Sequence, residues 1–418
     1  MKVTSRYALL AALGVSVAAM AGTSPAFAKK KDEAPAAPAL KLSDAVRKPL
    51  GAAQEALTKG DLATADAQVA AARAVASTAD EKFVVAQVAL NVAVKQNDQS
   101  KQAAALDEML ATGKVADADK AKFYAFQGHF AYDAKNYAKA EQAYSSAVSA
   151  GSTDQDVYAR LADTQFRNGR PADSIATLQK VIDERAKAGQ PVPTEWYARG
   201  ADIASRAKLP QQFVGITTAW LTAYPAKQNW HDTLFIYRQM AALTGDADLD
   251  LLRLARAAGV LPLAAQSNYL DYALAVYLKY PNEAVSVLKE GIAAGKLNPA
   301  TSQNTREILA LSEPKIAADK ASLKGAVAAA NGANATYKSV LSTGDVYYGY
   351  GDYKQAATLY KLAATKPGAD AGVANVRLGA SLAQGGDKEG ARAAFTAVTG
   401  PEAVIAKYWL VLLDHPAQ

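Results

Sequence analysis

Tyr124, Gly128, Tyr132, Asn136-Tyr137, Ala140, Tyr144 and Ala147 set a register that returns 34 residues later as Tyr158, Ala162, Phe166, Arg170-Pro171, Ser174, Leu178 and Val181. The same frame recurs as Gly344, Tyr348, Gly351-Asp352-Tyr353, Ala356, Tyr360 and Ala363. One repeat further on it reads Leu378-Gly379, Gly386-Asp387, Ala391, Phe395 and Val398. A unit of this length cannot bury its own apolar face. It is buried by stacking against neighbours, which restricts the chain to an array of like units.

Each recurring residue has a local reason. Gly128, Gly344 and Gly379 let a second helix approach the first closely, and Ala140, Ala356 and Ala391 supply the matching small face. Tyr144, Tyr360 and Phe395 fill the space between neighbours. Gly351-Asp352 ends one helix and caps the next, because Gly tolerates the turn and Asp accepts amide hydrogen bonds. This pattern resembles the tetratricopeptide repeat. The resemblance implies an all-α, right-handed α-solenoid of helix-turn-helix repeats, about nine pairs in two arrays. Weaker copies lie at Gly60-Asp61-Leu62, Asn97-Asp98, Trp196 with Gly200, Trp230 and Tyr280-Pro281-Asn282. The reading places an N-terminal solenoid at 43–312, an irregular junction at 313–336 and a C-terminal array with a capping helix at 337–418. Pro314, Gly325 and Asn331-Gly332 break the frame in the junction.

The first 28 residues read as an export signal. Lys2 and Arg6 precede an uncharged apolar stretch from Ala8 to Ala21, and Ala26-Phe27-Ala28 offers the small-x-small pattern cleaved after Ala28. That stretch is too short to span a bilayer, and no span is expected in the mature chain. Residues 29–42, with Pro35 and Pro38 among alanines, read as a flexible linker. The expected location is therefore the periplasm, or the medium. Loss of Lys2 and Arg6 lowers the net charge from +6 to +4, and no block of like charge suggests a nucleic-acid partner. The chain has no cysteine, which removes disulfides, thiol catalysis and thiolate-bound zinc.

Catalytic patterns are scarce. His129, His231 and His415 are far apart in sequence and form no ligand pair. No nucleophile elbow, phosphate loop or dinucleotide fingerprint stands in a strand-turn-helix context. The acidic groups Asp117 and Asp119, and Asp246, Asp248 and Asp250, read as residues of helix starts. Of the clustered tyrosines, Tyr348 and Tyr353 take repeat core positions, which leaves Tyr347 and Tyr350 as contact candidates. The expectation is no catalytic residue, no cofactor and no metal.

The resemblance also implies that certain first-helix positions face the inner groove of such an array. Those positions carry Lys122, His129, Tyr132 and Asp133, then Asp156, Asp163, Phe166 and Arg167. Further along they carry Tyr197, His231, Phe235, Arg238, Asp345 and Tyr348. Aromatic rings mixed with both signs of charge suit a protein or extended-peptide partner. Arg167 and Arg238, beside aromatic residues, are the expected anchors for acidic side chains. The ninth groove position holds no Asn, which argues against a clamp for terminal carboxylates. The functional expectation is a non-enzymatic scaffold or adaptor. The alternatives are an accessory or assembly factor for cell-wall or exopolysaccharide machinery, or a superhelical peptidoglycan-cleaving enzyme.

Overall fold

The computed structural model describes residues 40–263 and 266–418. The signal segment, Ala26 and Ala28 within it, and most of the linker lie outside the described residues. The chain divides into two compact units between Val181 and Ile182.

Unit 1 contains α1 (Asp44–Lys59), α2 (Leu62–Val75), α3 (Ala79–Gln96), α4 (Gln99–Ala111), α5 (Asp117–Asp133), α6 (Tyr137–Ser149), α7 (Gln155–Arg167) and the first part of α8 (Pro171–Lys187). They follow one another as helix-turn-helix pairs, each packed on the next, which is the arrangement of an α-solenoid. The turns are written in the sequence. Gly60 takes the left-handed conformation at φ 75°, and Asp61 then caps α2 by accepting from the Thr64 amide. Asp98 and Asn136 cap α4 and α6 in the same way, through the amides of Lys101 and Lys139.

Unit 2 continues with α9 (Thr194–Arg206), α10 (Pro210–Ala223), α11 (Lys227–Met240), α12 (Gly245–Ala257), α13 (Gln266–Val276), α14 (Pro281–Ala293), α15 (Gln303–Ser312) and α16 (Ile316–Ala330). It ends with α17 (Tyr337–Gly349), α18 (Tyr353–Ala363), α19 (Ala371–Gln384), α20 (Lys388–Thr396) and α21 (Ala403–Asp414). Asp352 and Asp387 cap α18 and α20.

The glycine and aromatic positions meet as the repeat implied. A Cβ on Gly128 would stand 2.5 Å from the Tyr144 ring, and Cβ atoms on Gly344 and Gly379 would stand 2.7 and 2.5 Å from Tyr360 and Phe395. No side chain larger than hydrogen fits there without displacing a ring. The far side of the Phe395 ring serves the next element: it stacks on Trp409 of α21 with centroids 5.4 Å apart.

Two expectations are corrected. Residues 313–330 are not irregular: a 3-10 turn at Glu313–Lys315 leads directly into α16, and only 331–336 lie outside a helix. Pro314 lies at the start of that turn, where its missing amide costs no bond. The repeat frame is lost because consensus residues encode packing on both sides, and α16 buries only Ala330. The last array is also not separate from the helices before it. Helix α21 packs on α10 and α12, and α17 packs on α14. Tyr408 and Thr217 share a hydrogen bond of 2.9 Å across 191 residues of sequence. The Gln418 amide donates to the Pro225 carbonyl at 2.8 Å, and the Lys227 amide donates to the Gln418 carbonyl at 2.9 Å. Unit 2 therefore folds back on its own beginning.

Candidate partner-binding cleft

In unit 1 the first helices of successive pairs present matched ladders. Helix α5 places Lys122, Phe126, His129 and Asp133 at helical spacing. Helix α7 answers with Asp156, Arg160, Asp163 and Arg167 at the same spacing. Between them lies a cleft of about 610 Å³, bounded also by the loop Gly151–Asp154. Its floor is made of small and aromatic residues, Ala118, Ala121, Ala125 and Phe126.

The polar wall is internally bonded. Arg160 donates to Asp156 at 2.7 Å and lies 5.2 Å from the Tyr132 ring centroid. The Tyr144 hydroxyl sits 2.9 Å from His129 Nδ1. Burial, with Arg160 close by, holds the His129 imidazole down to about 4, so the ring is neutral at ordinary pH. Beyond the cleft, Tyr132 donates to Asp163 at 2.5 Å and Arg167 donates to the same carboxylate at 2.6 Å. Arg167 also covers the Tyr137 ring at 5.0 Å, while Phe166 is half-buried behind it.

Residues 131–190 match the family profile described as Tetratricopeptide repeat. This stretch of the chain is a tetratricopeptide-repeat segment. Three solved structures match the chain at low identity and low TM-score. A tetratricopeptide repeat protein from Parabacteroides merdae ATCC 43184 is 10% identical, with 81% of this chain and 100% of that one covered and a TM-score of 0.29. The tetratricopeptide domain of P58(IPK) is 14% identical, with coverage of 87% and 98% and a TM-score of 0.22. Naa15/Naa10 bound to HypK-THB is 10% identical, with 84% of this chain and 62% of that one covered and a TM-score of 0.34. No curated protein matches the sequence.

The tetratricopeptide groove positions separate by unit. Lys122 and His129 line the open cleft, and Tyr132, Asp163, Phe166 and Arg167 extend the same face of unit 1. The positions in unit 2 are occupied by the unit itself. Tyr197 is buried edge-on against Tyr224, and His231 bonds Asp232 at 2.9 Å with its ring on the buried Phe235. Arg238 uses four of its five donors within the unit: it grips Asp248 through two at 2.5 and 2.8 Å, and reaches Asn268 and Asp271 at 3.2 and 3.1 Å. It ties α11 to α12 and α13. Tyr347 and Tyr350 likewise hold α16, the latter donating to Asp319 at 2.8 Å.

Asp345 and Tyr348 lie in a buried charged cluster that sequence reasoning missed. Arg253 of α12 donates to Glu283 at 2.9 and 2.7 Å and to Asp345 at 2.7 Å, with Tyr348 stacked 4.6 Å away. Arg377 of α19 donates to Asp345 and Asp250, both at 2.9 Å, and to Asp246 at 2.6 Å. Two guanidiniums thus face three fully buried carboxylates, Asp250, Glu283 and Asp345. Burial would raise the Asp345 carboxyl, but Arg377 and Arg253 outweigh it and hold it below its usual value. Asp250 goes the other way: burial pushes it up to about 6 against the pull of Arg377 and Arg253, and its Oδ2 has no hydrogen-bond partner among the described residues. The available signal was a lone cation inside an apolar run, Leu251-Leu252-Arg253-Leu254. Arg160 could have been found from its i+4 spacing to Asp156.

Proposed function

We propose that this chain is an exported, non-enzymatic scaffold of the periplasm that holds an extended segment of a protein partner on the α5–α7 face. The tetratricopeptide architecture supports protein–protein interaction in general. The observation that carries the site is the contrast between units. The α5–α7 face opens as a cleft with an apolar floor, whereas the inward positions of unit 2 are filled by its own side chains. The Ala26-Phe27-Ala28 pattern supports export.

A photoreactive phenylalanine at position 121 in the cleft floor, compared with one at the exposed Gln142 on α6, tests the face. Adducts with a discrete partner are expected at 121 and not at 142. Equal labelling at both positions, or at neither, overturns the assignment. N-terminal sequencing of protein from the periplasmic fraction should begin at Lys29, and retention of Met1 would refute export.

A further inference from the structure

The buried cluster of unit 2 does not balance in charge. Two guanidiniums, Arg253 and Arg377, share an enclosure with three carboxylates, Asp250, Glu283 and Asp345, all five at most 2% exposed. An unmatched charge held away from water is costly, so one carboxyl must carry a proton while the enclosure is shut. Hydrogen bonding selects which one. Asp345 accepts from Arg253, Arg377, Tyr280 and Tyr360 at distances between 2.7 and 2.9 Å. Glu283 accepts twice from Arg253 and once from Tyr272. Asp250 accepts from Arg377 Nε at 2.9 Å, while Arg253 stays 3.8 Å away and Oδ2 has no partner among the described residues. The proton belongs on the carboxyl with the fewest donors, Asp250.

The surrounding elements supply no further counter-charge. Asp246 accepts from Arg377 at the margin of the cluster, where its side chain is 60% exposed. Glu402, within reach of the Arg377 field, adds negative charge rather than relieving it. Of the other helices packed on α12, α11 offers Arg238, which holds Asp248 and the Asp271 of α13. Tyr272 of α13 is turned to Glu283, Tyr408 of α21 bonds Thr217, and Lys407 of α21 is exposed. Burial pushes Asp250 up to about 6 against the pull of Arg377 and Arg253.

Asp250 sits where the unit closes on itself. Its bond to Arg377 joins α12 to α19 across 127 residues of sequence, and α21, beyond α19, packs on α10 and α12. We propose that the seam between α12 and α19 is a proton-gated latch: Asp250 carries a proton while the seam is shut, and its ionisation parts α19–α21 from α10 and α12. With the proton in place, two positive and two negative charges cancel and the seam holds. Without it, one negative charge is in excess, and water reaches that charge only when the seam parts. The shut form binds the proton more tightly than the open form. Acid therefore keeps the latch closed, and it loosens as pH rises through about 6. Opening uncovers Thr217 and Tyr237, which Tyr408 covers in the shut form.

The chain has no cysteine, so a single introduced thiol reports on the seam. Ser381 lies one turn beyond Arg377 on the same face of α19, fully buried, with no partner for its hydroxyl among the described residues. Ser381→Cys in the full chain is labelled with a neutral thiol reagent, and the rate is divided by that of the urea-unfolded chain at the same pH. This ratio should rise about fivefold to tenfold from pH 5 to pH 7.5. Local opening exposes little surface, so at pH 7.5 the ratio should be nearly independent of urea below the unfolding transition. Asp250→Asn, whose side chain stays neutral, should hold the ratio near its pH 5 value throughout. Circular dichroism melts confirm that the variants are folded. A ratio that climbs with urea in step with unfolding means that only loss of the whole unit exposes the seam, and overturns the proposal. A ratio that is level or falls with pH overturns it as well, as does a pH dependence that survives Asp250→Asn. The urea and pH series on Ser381→Cys alone decide the matter if the double variant does not fold.

Discussion

Glycine-to-alanine changes should have opposite signs at two positions of unit 2. At Gly379 the new methyl would stand 2.5 Å from Phe395, whose ring cannot retreat because Trp409 stacks on it at 13°. Overpacking of this kind costs about 1–3 kcal/mol. At Gly215, inside α10, a Cβ meets nothing within 4 Å, so alanine should gain about 0.5–1 kcal/mol from helix propensity. Urea unfolding followed by tryptophan fluorescence reads both, since Trp196, Trp220, Trp230 and Trp409 all lie in unit 2. A neutral Gly379→Ala would mean that the repeat's small residue is not required for packing. These pairs were legible in the sequence because glycine and ring belong to one repeat and recur with it. The Arg253–Asp345 and Arg377–Asp250 pairs were not, because their partners are 92 and 127 residues apart and no period marks them. A charged residue carries no sequence mark that separates a groove position from a buried ion pair.

At the scale of elements, turns were the most readable feature. Gly60-Asp61, Asn136, Gly351-Asp352 and Gly386-Asp387 each stop one helix and cap the next through the expected donor and acceptor. Helix α16 escaped because its sequence has helix propensity but no packing code. It is attached to α17 largely through two hydroxyls. Tyr350 donates to Asp319 and lies 3.2 Å from the Ile316 carbonyl, and Tyr347 reaches the Leu323 carbonyl at 3.4 Å. Tyr350→Phe should release its first turn. Loss of about 1 kcal/mol of hydrogen bonding raises an open population about fivefold. Trypsin cleavage after Lys320 and Lys324 should rise by that factor, while the urea midpoint of the unit stays nearly unchanged. Cleavage rates equal to those of the parent protein would show that α16 is held by other contacts.

For the molecule as a whole, what decided which face could meet a partner was the chain's return upon itself within unit 2, and a repeat pattern carries no information on that. The return encloses Asp250, Glu283, Asp345, Arg253 and Arg377, with Asp246 at the margin and Glu402 near it. This arrangement has a pH consequence. Asp250 is pushed up to about 6 in the folded unit, from an ordinary 3.8, so the folded state binds a proton more readily than the unfolded chain. Its contribution is fully present below pH 3.8 and is lost as pH rises through 6. Glu402, also raised by burial, acts in the same direction. Asp345, held low by the two arginines once burial is overcome, stabilises only while ionised and limits the gain on the acid side. Between pH 5 and pH 7.5 the tryptophan-monitored stability of unit 2 should therefore fall by about 1 kcal/mol. Asp250→Asn, which keeps the shape and removes the charge, should flatten that slope. A midpoint that rises over this interval, or a slope unchanged in Asp250→Asn, would show that the buried cluster does not set the pH response.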